Sequence, residues 1–422
     1  MMAKTGQRTA RNSATLDDEA LLDKVQRQTF RYFWYFGHPV SGLARDRFGG
    51  DDEWTATGGT GFGAMAIIVA AERGWIERSE AVERLHRIVG FLQRADSYHG
   101  AFPHFLNGST GRTIRFWGKD DGADIVETAL LLQGLLAAEV YFDGDGREAA
   151  LRGKIAGLAR SVEWNWFTQG GREALYWHWS PNNGFAMNHE LFGWNECLIV
   201  FVLAAGSEDY AIGPRVYHNG YAQSRTFINR RRHEGIELPL GPDGGGPLFF
   251  AHYSFCGLDP RGLTDAYTDY WRQNLAHARI NYEYCVRNPK GYAGYGPDCW
   301  GLTASDSVHG YSAHAPDNDL GVIAPTAALS SLPYLPDEAM RALRHFHDDL
   351  GDRIWRDLGF VDAFSETEDW YATTHLAIDQ GPIIAMIENH RTGLLWKLVM
   401  RHPQVRRGLE RLGFTSPHIV GV

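Results

Sequence analysis

Four carboxylates stand at the head of one of the most apolar stretches of the chain. Residues 118–142 read GKDDGADIVETALLLQGLLAAEVYF, so Asp120, Asp121, Asp124 and Glu127 precede a leucine-rich segment. On a helix with 3.6 residues per turn, Asp120, Asp124 and Glu127 share one face because they are spaced i, i+4, i+7. Acids in a first turn also cap a helix, at about 0.3–1 kcal/mol each. Capping accounts poorly for Glu127, so we expect a functional cluster lining a cleft.

Two more carboxylates stand directly before apolar segments. Glu196 ends the motif GWNE (193–196) and precedes CLIVFVLAAG, and Asp379 lies within HLAIDQGP (375–382). Apolar neighbours remove water from a carboxyl group and raise its pKa, which suits a general acid. The structural alternatives are an acid at a helix N-terminus for Glu196 and a helix cap before Pro382 for Asp379.

Paired carboxyl groups in an aromatic setting are typical of glycoside hydrolysis. One carboxyl protonates the leaving oxygen, and the other activates water or attacks the sugar carbon. The chain is rich in Gly (48 of 422 residues) and contains 14 Trp, a composition that favours loops on which sugar rings can stack. The predicted catalytic residues are Glu196, Asp379, Asp120, Asp124 and Glu127. The predicted substrate-binding residues are Trp54, Trp117, Lys119, Asp121, His189, Trp194, Asn195, Trp300, His314 and Trp370.

Other catalytic motifs are weak in this sequence. The segment GGTGFGA (58–64) resembles a dinucleotide fingerprint, but no hydrophobic strand precedes it, and GYSAH (310–314) does not fit a nucleophile elbow. No HExxH motif is present, and His309 and His314 form only a weak candidate metal pair. The four cysteines form no CxxC pair. We therefore expect neither a metal nor a cofactor.

Charge and hydropathy exclude several classes of partner. The net charge of −10 argues against nucleic acid, because phosphate binding needs a basic surface. No stretch of 18 apolar residues predicts a membrane span, and the polar N-terminus lacks the apolar core of a signal peptide. We expect a cytoplasmic protein as the sequence stands, or a periplasmic one if a signal has been removed. The oligomeric state is left open.

The elements that must position these residues are predicted to be helices. A first helix is expected at about 18–36. After it, very apolar segments at about 60–73, 121–142, 194–206, 320–332 and 379–389 alternate with amphipathic ones at about 79–95, 145–165 and 336–355, and further helices are expected at 211–232, 264–287 and 391–401. Apolar helices must be buried and amphipathic helices cover them. This alternation predicts an all-α, single-domain (α/α)6 barrel over residues 18–422, with a few short strands possible, after a disordered segment at 1–17.

Six long blocks resemble the glycoamylase-like family, which includes glycoside hydrolase family 144. The blocks are FWGKDDGADIVETALLLQGLLAA, ELFGWNE, HYSFCGLDPRG, NPKGYAGYGPDCWGLTASD, IAPTAALSSLPY and LAIDQGPIIAMIENHRTGLLW. The resemblance extends from about residue 28 to residue 412. It implies an (α/α)6 barrel and hydrolysis of β-1,2-glucan, usually by internal cleavage with inversion to short oligosaccharides.

The resemblance also implies roles for the acids. The family's important carboxylates match Asp120, Asp124, Glu127, Glu196 and Asp379, with Glu196 expected as the general acid and Asp379 or one of the other three as the base. Three alternatives to the endo-acting hydrolase stay open: an exo-acting enzyme that releases sophorose or glucose, a β-1,2-glucan transglycosylase, and a non-catalytic glucan-binding protein.

Overall fold

A computed structural model describes residues 16–419, and within this range the chain is mainly α-helical. The expected disorder at 1–17 falls almost entirely outside these residues; Asp17 is described and caps the first helix through Ala20 N–H. The helices are α1 (Asp18–Trp34), α2 (Thr57–Glu72), α3 (Arg78–Leu92), α4 (Ile125–Tyr141), α5 (Arg147–Ser161), α6 (Leu198–Gly206), α7 (Tyr270–Arg287), α8 (Pro325–Leu329), α9 (Pro336–Arg344), α10 (Gly351–Ile354), α11 (Ala377–Arg391), α12 (Leu394–Arg401) and α13 (Pro403–Arg411).

The strands are short and form two- or three-stranded antiparallel ribbons. They are β1 (Arg47–Phe48), β2 (Trp54–Ala56), β3 (Phe105–Asn107), β4 (Thr113–Ile114), β5 (Ala123–Asp124), β6 (His178–Trp179), β7 (Ile228–His233), β8 (Ile236–Leu240), β9 (Ala304–Ser305), β10 (Ser312–Ala313), β11 (Trp355–Arg356), β12 (Gly359–Phe360), β13 (Phe364–Ser365), β14 (Trp370–Tyr371) and β15 (His375–Leu376). One ribbon pairs β1 with β15, so segments far apart in the sequence meet at Arg47 and Leu376.

Two kinds of helix build the core. In α2, α4, α6 and α11 nearly every residue is buried, which their apolar sequences require. Helix α2 packs between α4 and α11, and α6 packs against α4 and α13. Helices α1, α3, α5 and α7 bury one face each, and α3 and α5 pack together outside this group. The predicted all-α class with few short strands is confirmed, as is the alternation of buried and covering helices.

Glycines permit the closest contact between two buried helices. A Cβ atom on Gly61 of α2 would lie 2.1 Å from the carbonyl oxygen of Leu130, and one on Gly134 of α4 would lie 1.9 Å from the carbonyl oxygen of Gly61. Real Cβ contacts are never that short, so the two backbones approach as they do because neither residue has a side chain. This contact gives Gly61, which lies in the segment 58–64, a role in helix packing.

The prediction of one continuous helix over residues 211–232 is wrong. Residues 211–232 form a π-helical turn (Val216–Ala222) followed by strand β7, which pairs with β8 in a hairpin. The turn of this hairpin contains Glu234 and Gly235, both with positive φ (52° and 79°), a backbone that suits a tight two-residue connection. A second π-helical turn, His345–Asp349, follows α9 and interrupts the helix predicted at 336–355.

No helix within residues 16–419 has the length and apolar character needed to cross a membrane.

Candidate active site

A cavity of about 540 Å³ lies where the N-terminal ends of four buried helices meet. Ala56 precedes α2, Glu127 lies in the first turn of α4, Glu196 precedes α6, and Ile378 lies in the first turn of α11. Aromatic rings make up much of the remaining wall: Trp54, Phe105, Phe116, Trp177, Phe249, Tyr253 and Tyr311. The size falls within the range of about 300–1,000 Å³ typical of small-molecule sites, and the wall combines apolar faces with the three carboxyl groups of Asp46, Glu127 and Glu196.

The acidic segment at 120–127 is only partly helical. Helix α4 begins at Ile125, and Asp124 is its N-cap, accepting hydrogen bonds from Val126 N–H and Glu127 N–H at 2.9 Å each. Asp120 and Asp121 precede the helix, because Ala123–Asp124 pairs as strand β5 with β6. The prediction that Asp120, Asp124 and Glu127 share one helical face is therefore wrong. The three carboxyl groups nevertheless come together, since the extended segment leads into the helix start.

His104 joins two of these carboxyl groups. Its Nδ1 lies 3.1 Å from Asp124 Oδ2, and its Nε2 lies 4.0 Å from Glu127 Oε1. Burial alone would lower the pKa of His104, but the charges of Glu127 and Asp124 raise it to about 9. Burial would likewise raise the pKa of Asp124, yet the hydrogen bond from His104 keeps it below its ordinary value. The result is an imidazolium held against an ionised carboxylate.

Glu127 and Glu196 are the two predicted catalytic carboxyl groups that line the cavity. Glu127 accepts a 2.6 Å hydrogen bond from Gly58 N–H, at the start of α2. Burial raises the pKa of Glu127, against the opposing charge of His104, and burial raises the pKa of Glu196 to about 7. A carboxyl group that is half-protonated near neutral pH can donate a proton efficiently. The pKa of Glu127 is also raised to about 7, so either carboxyl group could donate a proton near neutral pH.

Asp120 lies beside the cluster without lining the cavity. Its Oδ1 is 3.5 Å from His178 Nδ1, and burial together with the charge of Asp124 raises its pKa to about 7. Burial lowers the pKa of His178 to about 4, so that ring is neutral at pH 7.

Asp379 belongs to a second buried acidic group. It lies in the first turn of α11, and burial and the nearby carboxyl group of Asp362 raise its pKa. Asp362 Oδ2 accepts a 2.7 Å hydrogen bond from Asp306 N–H, and Asp306 Oδ1 is 3.1 Å from Arg47 Nη1. Arg47 and its neighbour Asp46 line the cavity, so this group connects Asp379 to the cavity wall.

Several important neighbours were not predicted from the sequence. They are His104, Asp46, Arg47, Asp306 and Asp362, and none belongs to a motif or precedes an apolar helix. Asp46 and Arg47 are adjacent and contact each other, whereas the other three meet their partners only through tertiary packing. The one sequence signal that could have indicated Asp306 is its place at the end of the fourth block of family resemblance.

Four predicted binding residues, one before α2 and three before α4, have diverse environments. Trp54 lines the cavity, whereas Trp117 is 73% exposed next to the lining residue Phe116. Lys119 is exposed. Asp121 is buried and accepts hydrogen bonds from Ser180 Oγ (2.5 Å) and Asn182 Nδ2 (2.9 Å), which organise the 180–183 turn.

The remaining predicted binding residues do not line the cavity. His189 stacks on the lining residue Trp177, with ring centroids 4.9 Å apart. Asn195 Oδ1 accepts from the hydroxyl of Tyr221 (3.0 Å) and from Cys197 N–H (3.1 Å).

Three predicted binding residues are buried in the protein, and a fourth packs on another cluster. Trp194, Trp300 and His314 are almost fully buried, and Trp300 Nε1 donates to Glu338 O. Trp370 packs on Val322, Ala324 and Ala363. The structure therefore does not support sugar stacking on Trp194 or Trp300, since their rings are core components.

One side-chain group near the cavity has the composition of a metal site. Ligand atoms of His104, Asp120 and Asp124 lie within 4.8 Å of one another. The pKa of about 9 keeps His104 protonated between two carboxylates, so a metal ion would have to displace this proton in order to bind the ring. The arrangement is better suited to moving or holding a proton.

Comparisons with known proteins agree with these features. Residues 188–403 match the family model Glycoamylase, described as "Putative glucoamylase". A crystal structure from Bacteroides uniformis with the same description is 58% identical, with a TM-score of 0.95, over 96% of this chain and 100% of that one. The endo-β-1,2-glucanase of Chitinophaga pinensis, in complex with sophorotriose and glucose, is 50% identical, with a TM-score of 0.94, over 96% and 100% of the two chains.

A curated relative bears on the mode of cleavage. The exo β-1,2-glucooligosaccharide sophorohydrolase (non-reducing end) of Parabacteroides distasonis is 44% identical over 419 residues, which cover 94% of this chain and 58% of the relative. The chain thus spans little more than half of that relative's length. The family predicted from the sequence is confirmed, and the predicted enzyme class agrees with these activities. The main expectation of internal cleavage is contradicted by the exo-acting curated relative, which fits the exo-acting alternative instead.

Proposed function

Because the chain belongs to the glycoamylase-like family, we propose that it is an exo-acting glycoside hydrolase that releases sophorose from the non-reducing end of β-1,2-gluco-oligosaccharides. The observation that carries this proposal is the similarity to the exo-acting curated relative, and the cavity supplies a matching site. The cavity combines a carboxyl group tuned to a pKa of about 7, Glu196, with aromatic faces able to stack on sugar rings. Its volume of about 540 Å³ suits a short oligosaccharide.

In the proposed reaction, Glu196 protonates the glycosidic oxygen as the bond to the anomeric carbon breaks. A carboxylate on the opposite side removes a proton from the attacking water, which inverts the anomeric configuration. Glu127 is one candidate for this base, since it lines the cavity beside the positive charge of His104. Asp379 is the other, connected to the cavity wall through Asp362, Asp306 and Arg47.

The helical arrangement extends the same proposal to the architecture. We propose that the buried and covering helices close into an (α/α)6 toroid, with the cavity at one end. The alternation of the two kinds of helix and the pairing of β1 with β15 support this closure.

Product analysis tests the cleavage mode. A β-1,2-linked glucose pentamer labelled at its reducing end is incubated with the enzyme and sampled early. We expect a labelled trimer together with unlabelled sophorose, because two units leave from the unlabelled end. Laminari- and malto-oligosaccharides serve as linkage controls. Labelled products of mixed length at the earliest times would overturn the proposal of exo action. If the enzyme hydrolysed no β-1,2-linked oligosaccharide, the proposed substrate class would be wrong.

Variants test the acid and the base. Glu196→Gln should lower kcat by about 10²–10⁴-fold while the protein stays folded and still binds the oligosaccharide. Glu127→Gln and Asp379→Asn then separate the two candidate bases, because only loss of the true base lowers kcat to a similar extent with little change in binding. Activity of Glu196→Gln close to that of the wild type would exclude Glu196 as the acid.

A further inference from the structure

A second cluster of potential metal ligands lies outside the cavity wall. Ligand atoms of Cys299, His345 and Glu366 lie within 4.8 Å of one another. Cys299 belongs to the loop between α7 and β9, His345 begins the π-helical turn after α9, and Glu366 follows β13. The three residues come from separate segments, so tertiary packing alone brings them together.

Glu366 has a buried carboxylate oxygen that lacks a hydrogen-bond donor within residues 16–419. Its Oε1 is buried and has no hydrogen-bond partner among the described residues. A Cβ atom on Gly294 would lie 2.1 Å from this oxygen, so the carboxyl group rests directly against a bare glycine backbone that has a φ of 84°. A buried carboxylate oxygen without a donor is costly, and a bound cation is one way to compensate it.

His345 has the support that metal-binding histidines usually have. Its Nδ1 lies 2.9 Å from Asp349 Oδ2, one turn further along the chain. A histidine that donates Nδ1–H to a carboxylate is fixed in orientation and keeps the lone pair of Nε2 for a metal. This differs from His104, whose two nitrogens both face carboxylates.

Cys299 supplies the soft ligand. Its side chain is buried, and the backbone around it is held by a turn in which Gly296 and Cys299 exchange hydrogen bonds of 3.0 and 3.2 Å. One thiolate, one imidazole and one carboxylate form a donor set that suits Zn²⁺ better than Mg²⁺ or Ca²⁺, which prefer oxygen ligands.

We propose that Cys299, His345 and Glu366 bind one Zn²⁺ ion, with the fourth position taken by water. On binding, the Cys299 thiol gives its proton to solvent and its sulfur forms a bond to the metal, while His345 and Glu366 bind as neutral imidazole and carboxylate. The ion would cross-link the loop before β9, the π-helical turn and the β13–β14 hairpin. Ala304 of β9 lines the cavity, so the cross-link steadies one segment of its wall.

Metal titration of the tag-free chain tests this site. The protein is treated with a chelator and titrated with Zn²⁺ against a chromophoric competitor, and with Co²⁺ to detect thiolate-to-metal charge transfer. We expect one equivalent of tightly bound metal, a charge-transfer band, and a Zn²⁺-dependent rise in the unfolding temperature. Absence of stoichiometric binding would overturn the proposal.

Matched variants locate the metal. Cys299→Ser should abolish the charge-transfer band and weaken Zn²⁺ binding by tenfold or more, whereas Cys256→Ser, which alters a buried cysteine outside the cluster, should leave both unchanged. Glu366→Gln provides a second test that does not depend on the folding of Cys299→Ser, and it should also weaken binding by tenfold or more. Wild-type affinity in Cys299→Ser and Glu366→Gln would overturn the site.

Discussion

At the scale of single residues, His104 supplies the positive charge that stabilises the acidic cluster. Asp120, Asp124 and Glu127 would repel one another if all were ionised in a buried site. The imidazolium of His104 is paired with Asp124 and lies close to Glu127, so it offsets part of that repulsion. The site therefore holds ionised and protonated carboxyl groups side by side near neutral pH.

Replacement of His104 should change the pH dependence of catalysis. In His104→Gln the positive charge that lowers the pKa of Glu127 is lost, so this pKa rises further. If Glu127 acts as a carboxylate, the acidic limb of the kcat/KM profile should move upward by about one to three pH units. The profile is measured between pH 4 and pH 9.

His178→Gln is the matched control for this prediction. His178 also borders the cluster, but it is uncharged at neutral pH because burial lowers its pKa to about 4. Its replacement removes no charge and should leave the acidic limb where it is. Equal displacement in both variants would show that the charge of His104 does not set the profile.

At the scale of elements, the crossing of α2 and α4 positions Glu127 against Gly58. Gly61→Ala and Gly134→Ala should each destabilise the protein by about 1–3 kcal/mol or more, because the added methyl group would press on a backbone carbonyl oxygen. Urea unfolding measures this loss.

Gly153→Ala in α5 is the control. Gly153 is exposed within a helix, and a Cβ atom there would meet nothing within 4 Å. This substitution should be neutral or stabilise the protein by up to about 1 kcal/mol, since alanine favours helix. A loss of stability at Gly153 as large as that at Gly61 would contradict the packing argument.

Sequence reasoning works best for elements whose pattern is local. The buried helices α2, α4, α6 and α11 were predicted because their sequences are apolar on every side. Helix α4 was started too early because the pairing of β5 with β6 depends on residues more than 50 positions away. The segment 211–232 failed for a different reason, because its last residues, from Ile228 onward, belong to β7 and pair with β8 in a local hairpin.

In the candidate site too, residues with a local sequence pattern could be predicted and residues that meet only in the fold could not. Glu196 and Glu127 were found because each stands next to an apolar helix that leads into the core. Trp194 and Trp300 were assigned to the substrate on residue type alone, and packing places both in the core. Asp362 could not be associated with Asp379 before the fold was known, because the two carboxyl groups meet through tertiary packing.

At the scale of the whole molecule, buried carboxyl groups should make stability depend on pH. The pKa of Glu196 is raised in the folded protein from 4.5 to about 7, so the folded state holds this proton more tightly than the unfolded chain does. The stabilisation is complete below about pH 4 and is lost as the pH rises through 7. For Glu196 alone this corresponds to about 3 kcal/mol.

Comparison with Glu196→Gln isolates this contribution. The variant cannot titrate at this position, so its free energy of unfolding should fall less than that of the wild type between pH 4.5 and pH 8. Urea unfolding at several pH values measures the difference. Parallel curves for the two proteins would show that Glu196 does not hold its proton in the folded state.

The pairing of β1 with β15 also determines when the cavity can form during translation. Arg47 and Leu376 are roughly 330 residues apart, and both line the cavity. At a translation rate of roughly 5–20 residues per second, the first strand leaves the ribosome about 15–65 s before its partner. During that interval the apolar faces of α2 and α4 are not yet covered by α11. A nascent chain of this protein therefore has a long period of exposure to chaperones and proteases, and it gains a complete cavity only after β15 and α11 have been synthesised.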